Sequence, residues 1–273
     1  MKKSIVTLLL AMLSLTLLSA CGVFQEVEAP SATLEAIPLE TQAAGVATTP
    51  AEPTAAPEVA TEAPTESATE EATVAAPTEA PTEEPTEDPT AAPVGEARVF
   101  TIDSTASQVR FQLDEDLRGT RTTVVGSTDQ VAGQLSLNLA DLSQTQVGII
   151  QINARTLATD NNFRNRAINN EILDTGEFEF ITFTPTAVEG LPASATIGET
   201  ITFTLVGDLT IRDTTLPATF TVEATAVSET QVTGTATAVV NRTDYGLEIP
   251  SVPNVANVEE EVELYIDFTA NAS

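Results

Sequence analysis

The feature that most constrains this chain is a strict alternation of apolar and polar residues through its second half. In "ITFTLVGDLTI", Ile201, Phe203, Leu205, Leu209 and Ile211 share one face, and Thr202, Thr204, Asp208 and Thr210 share the other. "ATFTVEATA" repeats the pattern with Ala218, Phe220, Val222, Ala224 and Ala226. "VTGTATAVV" sets Val232, Gly234, Ala236, Ala238 and Val240 against Thr233, Thr235 and Thr237. "VELYIDFTA" sets Val262, Leu264, Ile266, Phe268 and Ala270 against Glu263, Tyr265, Asp267 and Thr269. Earlier, Val109, Phe111 and Leu113 alternate, as do Leu135, Leu137 and Leu139. A period of two in Thr, Val, Ile and Phe specifies half-buried strands. One face meets water and the other a core, which suits antiparallel pairing. The spacing fits about eight to ten strands in an up-and-down barrel or a sandwich.

One stretch departs from this rhythm. Residues 159–173, "TDNNFRNRAINNEIL", carry Phe163, Ala167, Ile168 and Ile172 at helical spacing, with Thr159, Asp160 or Asn161 available as a cap. A short amphipathic helix across one end of a barrel follows.

The chemistry open to the chain is narrow. It has one Cys, no His and no Trp. No disulfide can staple the fold, so its stability must come from an ordinary core. Without His, the commonest general base and a common metal ligand are missing, and a Ser-His-Asp or Cys-His device cannot be built. The net charge of −29 argues against a nucleic-acid partner, because phosphate neutralisation needs a basic surface. No cofactor or metal site is indicated. The acidic run "NVEEEVEL" reads as a solvated strand start, without the spacing of a calcium loop.

Three parts follow one another. Lys2 and Lys3 precede an apolar run that ends at Leu18-Ser19-Ala20-Cys21. The run is shorter than the ~20 residues that a spanning helix needs, and it has the order of a secretory signal peptide. Its last four residues resemble the lipobox of bacterial lipoproteins. That resemblance implies a signal peptide at 1–20 and a lipid on Cys21, which would hold the mature chain to a membrane on its extracytoplasmic side. Residues 21–95 form a Pro/Thr/Ala/Glu-rich linker. Eleven of the 16 prolines and 15 of the 40 acidic residues lie there, without Lys or Arg. Such a composition cannot bury enough apolar surface to fold. Fully extended at roughly 3.1 Å per residue, its reach is on the order of 230 Å. Residues 96–273 form one domain, with nine Arg against 25 acidic side chains.

Inside this domain the later strands turn small residues inward: Gly234, Ala236, Ala238, Ala224 and Ala226. Two readings stand side by side. The small residues leave a dry, apolar hollow for one ligand, or Phe and Leu from other strands fill the gap.

Three stretches then resemble the YceI-like family of lipocalin-like barrels: "RNRAINNEILDTGEFEFITF" (164–183), "GDLTIRDTTLPATF" (207–220) and "VNRTDYGL" (240–247). The opening "FTIDSTASQVRF" (100–111) fits as well. The family often carries a His near the helix, where this chain reads Arg166-Ala167-Ile168. The resemblance implies an antiparallel lipocalin-like barrel of about eight strands with one short helix. It implies no catalysis, and a cavity for an isoprenoid-type or other amphiphilic lipid. On this reading the cavity wall includes Phe111, Leu113, Phe163, Ile168, Phe180, Phe203, Leu205, Phe220, Ala236, Ala238 and Tyr245. Arg164 and Arg242 match family positions and are candidates for a ligand head group. Each also has a structural reading: Arg164 paired with Asp160, and Arg242 with Asp244 or a loop carbonyl. The competing functions are a surface structural or adhesion module with a filled barrel, and a carboxylate-based hydrolase, for which the sequence places no close acidic pair.

Overall fold

The computed structural model describes residues 26–31, 34–39 and 95–272; the apolar run, Cys21 and residues 40–94 lie outside them. Among the described residues there are thirteen strands: β1 (Arg98–Ile102), β2 (Gln108–Leu117), β3 (Thr120–Thr128), β4 (Val131–Ala132), β5 (Gln134–Leu137), β6 (Gln146–Val147), β7 (Ile150–Asn153), β8 (Phe180–Glu189), β9 (Thr200–Ile211), β10 (Thr214–Ser228), β11 (Gln231–Asn241), β12 (Val255–Ala256) and β13 (Glu261–Ala272). The helix α1 (Asn162–Ala167) runs into a π turn over Ile168–Ile172. The count exceeds eight because the first passes of the wall are broken. Residues 98–117 are one pass interrupted by a 3-10 turn, residues 120–137 are one pass bent between β3, β4 and β5, and β6 and β7 share another. With β8, β9, β10, β11 and β13, the chain runs along the wall eight times.

All pairings are antiparallel and form one sheet. Its two ends meet. β4 pairs with β7, Ser127 and Ala158 exchange backbone bonds of 2.9 and 3.0 Å, and the Gly148 N–H donates to the Gln134 carbonyl at 2.8 Å. This closure removes the free edges on which a sheet otherwise adds strands. Two tight turns use the left-handed region: Arg118-Gly119 (φ 54° and 79°) joins β2 to β3, and Arg212 (φ 56°) helps join β9 to β10. Such turns match the twist of a hairpin.

The alternation is realised as burial. Along β10, Ala218, Phe220, Val222, Ala224 and Ala226 are buried, while Thr219, Thr221 and Glu223 are exposed. On the outer face Thr hydroxyls pair across strands, Thr200 with Thr225 at 2.7 Å and Thr210 with Thr215 at 2.8 Å. Such cross-strand pairs each contribute a few tenths of a kcal/mol to about 1 kcal/mol.

The interior divides along the barrel axis. At the end holding β1, β5 and the start of β11, Phe100, Leu137, Leu205, Val222, Ala224, Val232, Ala236 and Ala270 belong to one packed core. Phe268 and Phe203 pack against it. The absent side chain of Gly234 is replaced by the Phe268 ring, whose Cζ lies 2.7 Å from where a Cβ would stand. The small inward residues therefore mark the filled end of the barrel. Near the middle, Phe183 and Phe220 meet edge to face, with centroids 4.8 Å apart. Phe183 sits over Gly207: a Cβ there would lie 2.7 Å from its ring and 2.5 Å from the Thr184 carbonyl. Neither backbone nor buried ring can retreat far. Gly207→Ala should therefore destabilise the domain by about 1–3 kcal/mol, the usual range for overpacking. The shift of the urea midpoint at unchanged m-value measures it, and an unshifted midpoint would show that the floor is loosely packed.

Candidate functional site

Beyond the Phe183–Phe220 floor the barrel is hollow, with a cavity of about 440 Å³. That is within the range of small-molecule sites. Its wall is made by inward residues of the strands at this end. Val109, Phe111 and Leu113 come from β2, Val124 from β3, Ile152 from β7, Ile181 from β8, Leu209 and Ile211 from β9, and Val262, Leu264 and Ile266 from β13. The roof is α1 with its π turn. Asn161 caps the helix by accepting the N–H groups of Phe163 (2.9 Å) and Arg164 (3.3 Å), one of the caps expected from the sequence. Phe163, Ala167, Ile168 and Ile172, the apolar stripe of the sequence, all line the cavity. Phe163 is nevertheless 66% exposed and Val252 39% exposed, so the cavity opens to the surface between the helix and the loop after Gly246.

One charge enters this apolar wall. The inward row of β2 runs Val109, Phe111, Leu113 and then Glu115, which is 5% exposed. An interior free of charge, the expectation from the later strands, does not hold here. Arg164 on α1 bonds the Glu115 carboxylate through Nη2 at 2.9 Å and Asp160 through Nη1 at 2.5 Å. A buried carboxylate without a partner would cost several kcal/mol, so the pair ties the roof to the wall. Arg242 has its own work. Its Nε donates to the Glu259 carbonyl at 3.0 Å and its Nη1 to the Leu247 carbonyl at 2.9 Å, which pins the loop. Tyr245 is buried against the cavity; burial, and then the charge of Asp244, pushes its phenol above the ordinary range. It stays neutral at any ordinary pH.

Of the residues proposed from the sequence, Phe111, Leu113, Phe163, Ile168, Phe220, Tyr245, Arg164 and Arg242 come together around the cavity. Phe180, Phe203, Leu205, Ala236 and Ala238 do not line it. Leu205, Ala236 and Ala238 lie in the packed core and Phe203 packs against it. Cys21 lies outside the described residues. Two parts of the wall were not anticipated. The loop "LEIPSVPNVANV" contributes Leu247, Ile249, Pro250, Val252, Pro253, Val255 and Val258. Its apolar, proline-bearing composition is the signal, but it has no period. Arg118, at the tip of the β2–β3 hairpin, lines the mouth and makes no ion pair among the described residues. Among the described residues, no three Cys, Asp or Glu gather where they could hold a metal.

The family described as "YceI-like domain" matches residues 100–270. The fold is similar to that of a polyisoprenoid binding domain from Saccharophagus degradans implicated in plant cell wall breakdown. That likeness has 15% identity and a TM-score of 0.52, and it covers 64% of this chain and 98% of the other. It is also similar to BcnA of Burkholderia cenocepacia, with 17% identity, a TM-score of 0.50, and coverage of 62% of this chain and 99% of the other. No curated protein matches the chain.

The Glu115–Arg164 pair yields a prediction. Arg164→Ala strands the Glu115 carboxylate and should cost on the order of 3 kcal/mol. The double variant Arg164→Met with Glu115→Leu removes both charges and should recover most of that. Chemical denaturation of the parent and both variants tests this, and a neutral Arg164→Ala would show that the pair does not hold the roof.

Proposed function

The chain belongs to the YceI-like domain family, and from that premise we propose that it is a binding protein for an isoprenoid-type or other amphiphilic lipid. The cavity carries the reading: an apolar chamber closed at its floor by Phe183 and Phe220 and open to the surface beside Phe163. A hydrocarbon chain would gain roughly 25 cal/mol per Å² of apolar surface removed from water, less the cost of association. The polar end of the lipid would stay at the mouth. Arg118 is the cation available there, since Arg164 and Arg242 are already engaged by Glu115, Asp160 and two loop carbonyls. The likeness to the polyisoprenoid binding domain of Saccharophagus degradans supports this ligand class.

The wall supports a reading of binding rather than catalysis. Glu115 is the only acid among the lining residues, and hydrolysis by carboxylates works with two. The membrane part of the proposal rests on the sequence. An acyl group on Cys21 would hold the protein on the extracytoplasmic side of a bacterial membrane, where its lipid is at high local concentration. Two or more acyl chains on one cysteine would make the anchor durable.

Leu264 lines the chamber from β13. Leu264→Trp should fill part of it. Organic extraction and mass spectrometry of gently purified protein should find a lipid in the parent and at most a tenth as much in the variant, at matched circular dichroism. Equal lipid in both, or none in either after titration with an isoprenoid alcohol, would exclude the cavity as a lipid site. Separately, Cys21→Ser should move the protein from the membrane fraction to the soluble fraction, and retention on the membrane would exclude the acyl anchor.

A further inference from the structure

Two described stretches of the Pro/Thr/Ala/Glu-rich segment, 26–31 and 34–39, lie on the barrel, and their contacts are specific. Arg155, in the 3-10 turn after β7, is 10% exposed at its side chain. Its Nε donates to the Thr175 carbonyl at 2.8 Å, and its Nη2 to the Gly176 carbonyl at 3.1 Å. Its Nη1 meets the Glu179 carboxylate at 3.1 Å; Glu179 is also 10% exposed. Asn153 donates to the same carboxylate at 2.9 Å. This buried pair still has capacity on its outer side, and the N-terminal segment takes it up. Glu28 pairs with Arg155 Nη2 at 3.0 Å, the Ala29 carbonyl accepts from Nη1 at 3.1 Å, and the Ser31 N–H donates to Glu179 Oε1 at 2.8 Å. Further on, the Leu39 N–H donates to the Gln134 side-chain oxygen at 3.3 Å. Val27, Leu34, Ala36, Ile37 and Leu39 are half-buried, whereas Glu26, Glu28, Glu35 and Pro38 are exposed. Apolar side chains turned to the wall and charged ones turned to water describe a docked segment.

We propose that residues 26–39 are a strap that docks on the outer wall of the barrel at the Arg155–Glu179 pair. The strap changes what the linker does. Leu39 is held at Gln134, and the Gly95 carbonyl accepts from the Asn138 side chain. Both ends of residues 40–94 are therefore fixed on or just past one strand, β5, four residues apart, or roughly 13 Å at strand spacing. Those residues do not stand in series between residue 21 and the barrel. If Cys21 is the anchor, as the proposed function has it, four residues separate it from the strap, a reach of at most about 18 Å. The full linker in series would reach on the order of 230 Å. The barrel is then held at the membrane surface. The electrostatics of the clamp agree with the geometry: burial works to raise the Glu179 carboxyl, but the hydrogen bonds from Ser31 and Asn153 and the Arg155 charge outweigh it and hold it below the usual range.

Amide hydrogen exchange on the intact chain tests the strap. Peptides covering 26–39 should exchange at least tenfold more slowly than peptides covering 46–94. Ser31→Pro removes the donated N–H without touching the barrel. It should abolish the slowing in 26–39 while leaving the exchange of β8 to β11 unchanged, which excludes unfolding as the cause. Arg155→Ala should have the same effect on 26–39. Exchange of 26–39 as fast as 46–94 in the parent, or equal slowing in the parent and Ser31→Pro, overturns the proposal. The readout does not involve lipid or membrane. Were Cys21 not the anchor, the chain would be soluble with the strap still protected, so the two failures are distinct.

Discussion

A hollow inside a protein is a standing cost, and the rest of this fold is arranged around it. Apolar side chains that line a chamber give up the packing contacts of a filled core, and here about 440 Å³ is left unfilled by the protein itself. A typical domain has only about 5–15 kcal/mol of net stability, so such a loss has to be offset elsewhere. No disulfide can offset it, because the chain has a single Cys. The offset comes from two places. The far end of the barrel is packed solid around Phe100, Leu137, Val222 and Ala270, and the sheet is closed through β4, β7 and the Ser127–Ala158 bridge. Half the barrel is structural so that the other half can be open. A ligand that fills the chamber adds stability by mass action, which couples loading to folding.

The same division explains what could be read from the sequence. A period of two states which face a residue takes, and it did so correctly for β9, β10, β11 and β13. It says nothing about depth along the barrel axis. Ala236 and Ala238 point inward as their spacing demands, yet they do not line the chamber, although their partners across the sheet, Ile266 and Leu264, do. The room beside the small residues on β11 is used by Phe268, packed over Gly234 from a neighbouring strand. Smallness on one strand meant a large partner on the next. The helical stripe of Phe163, Ala167, Ile168 and Ile172 was legible for the opposite reason: a short helix has one apolar face, and only one thing lay beneath it. The broken passes, β4 to β7, are two to four residues long, and only β5, through Leu135 and Leu137, stands in an alternation that could be read. The loop of Leu247 to Val258 is apolar without being periodic, so its place in the wall depends on Arg242 reaching the carbonyls at its two ends, Leu247 and Glu259.

Glu115 shows how a legible residue can hide its meaning. The alternation of β2 carries straight through it, so its inward direction follows from sequence alone. Its partner Arg164 is 49 residues away, on a helix whose position over the barrel is a tertiary fact. The pair is shielded on both sides, with 18% and 7% of the side chains exposed. A hydrophobic pair of the same shape would hold the roof as well or better. What an ion pair adds is direction: it accepts only one placement of α1 over the end of β2, where leucines would accept several. The roof of an otherwise greasy chamber is the place where such a constraint matters, because apolar packing against a void specifies little.

If Cys21 carries the proposed anchor, the position of the barrel relative to a membrane becomes part of its chemistry. A lipid that must leave a bilayer and enter a chamber spends the transfer exposed to water, and each uncovered methylene costs roughly 0.8 kcal/mol. The transfer becomes easier as the gap shortens. A barrel at the end of a long tether explores a large volume and meets the membrane seldom, since the effective concentration falls as about the −3/2 power of tether length. A barrel strapped close to its anchor meets it constantly. The acidic residues of the 40–94 segment would serve a barrel in that position as well: with no Lys or Arg among them, they are repelled by an anionic surface and keep the protein from adsorbing flat with its mouth blocked. On a membrane, the strap and the acidic 40–94 segment would act on one variable, the distance between the mouth and the surface, from opposite sides.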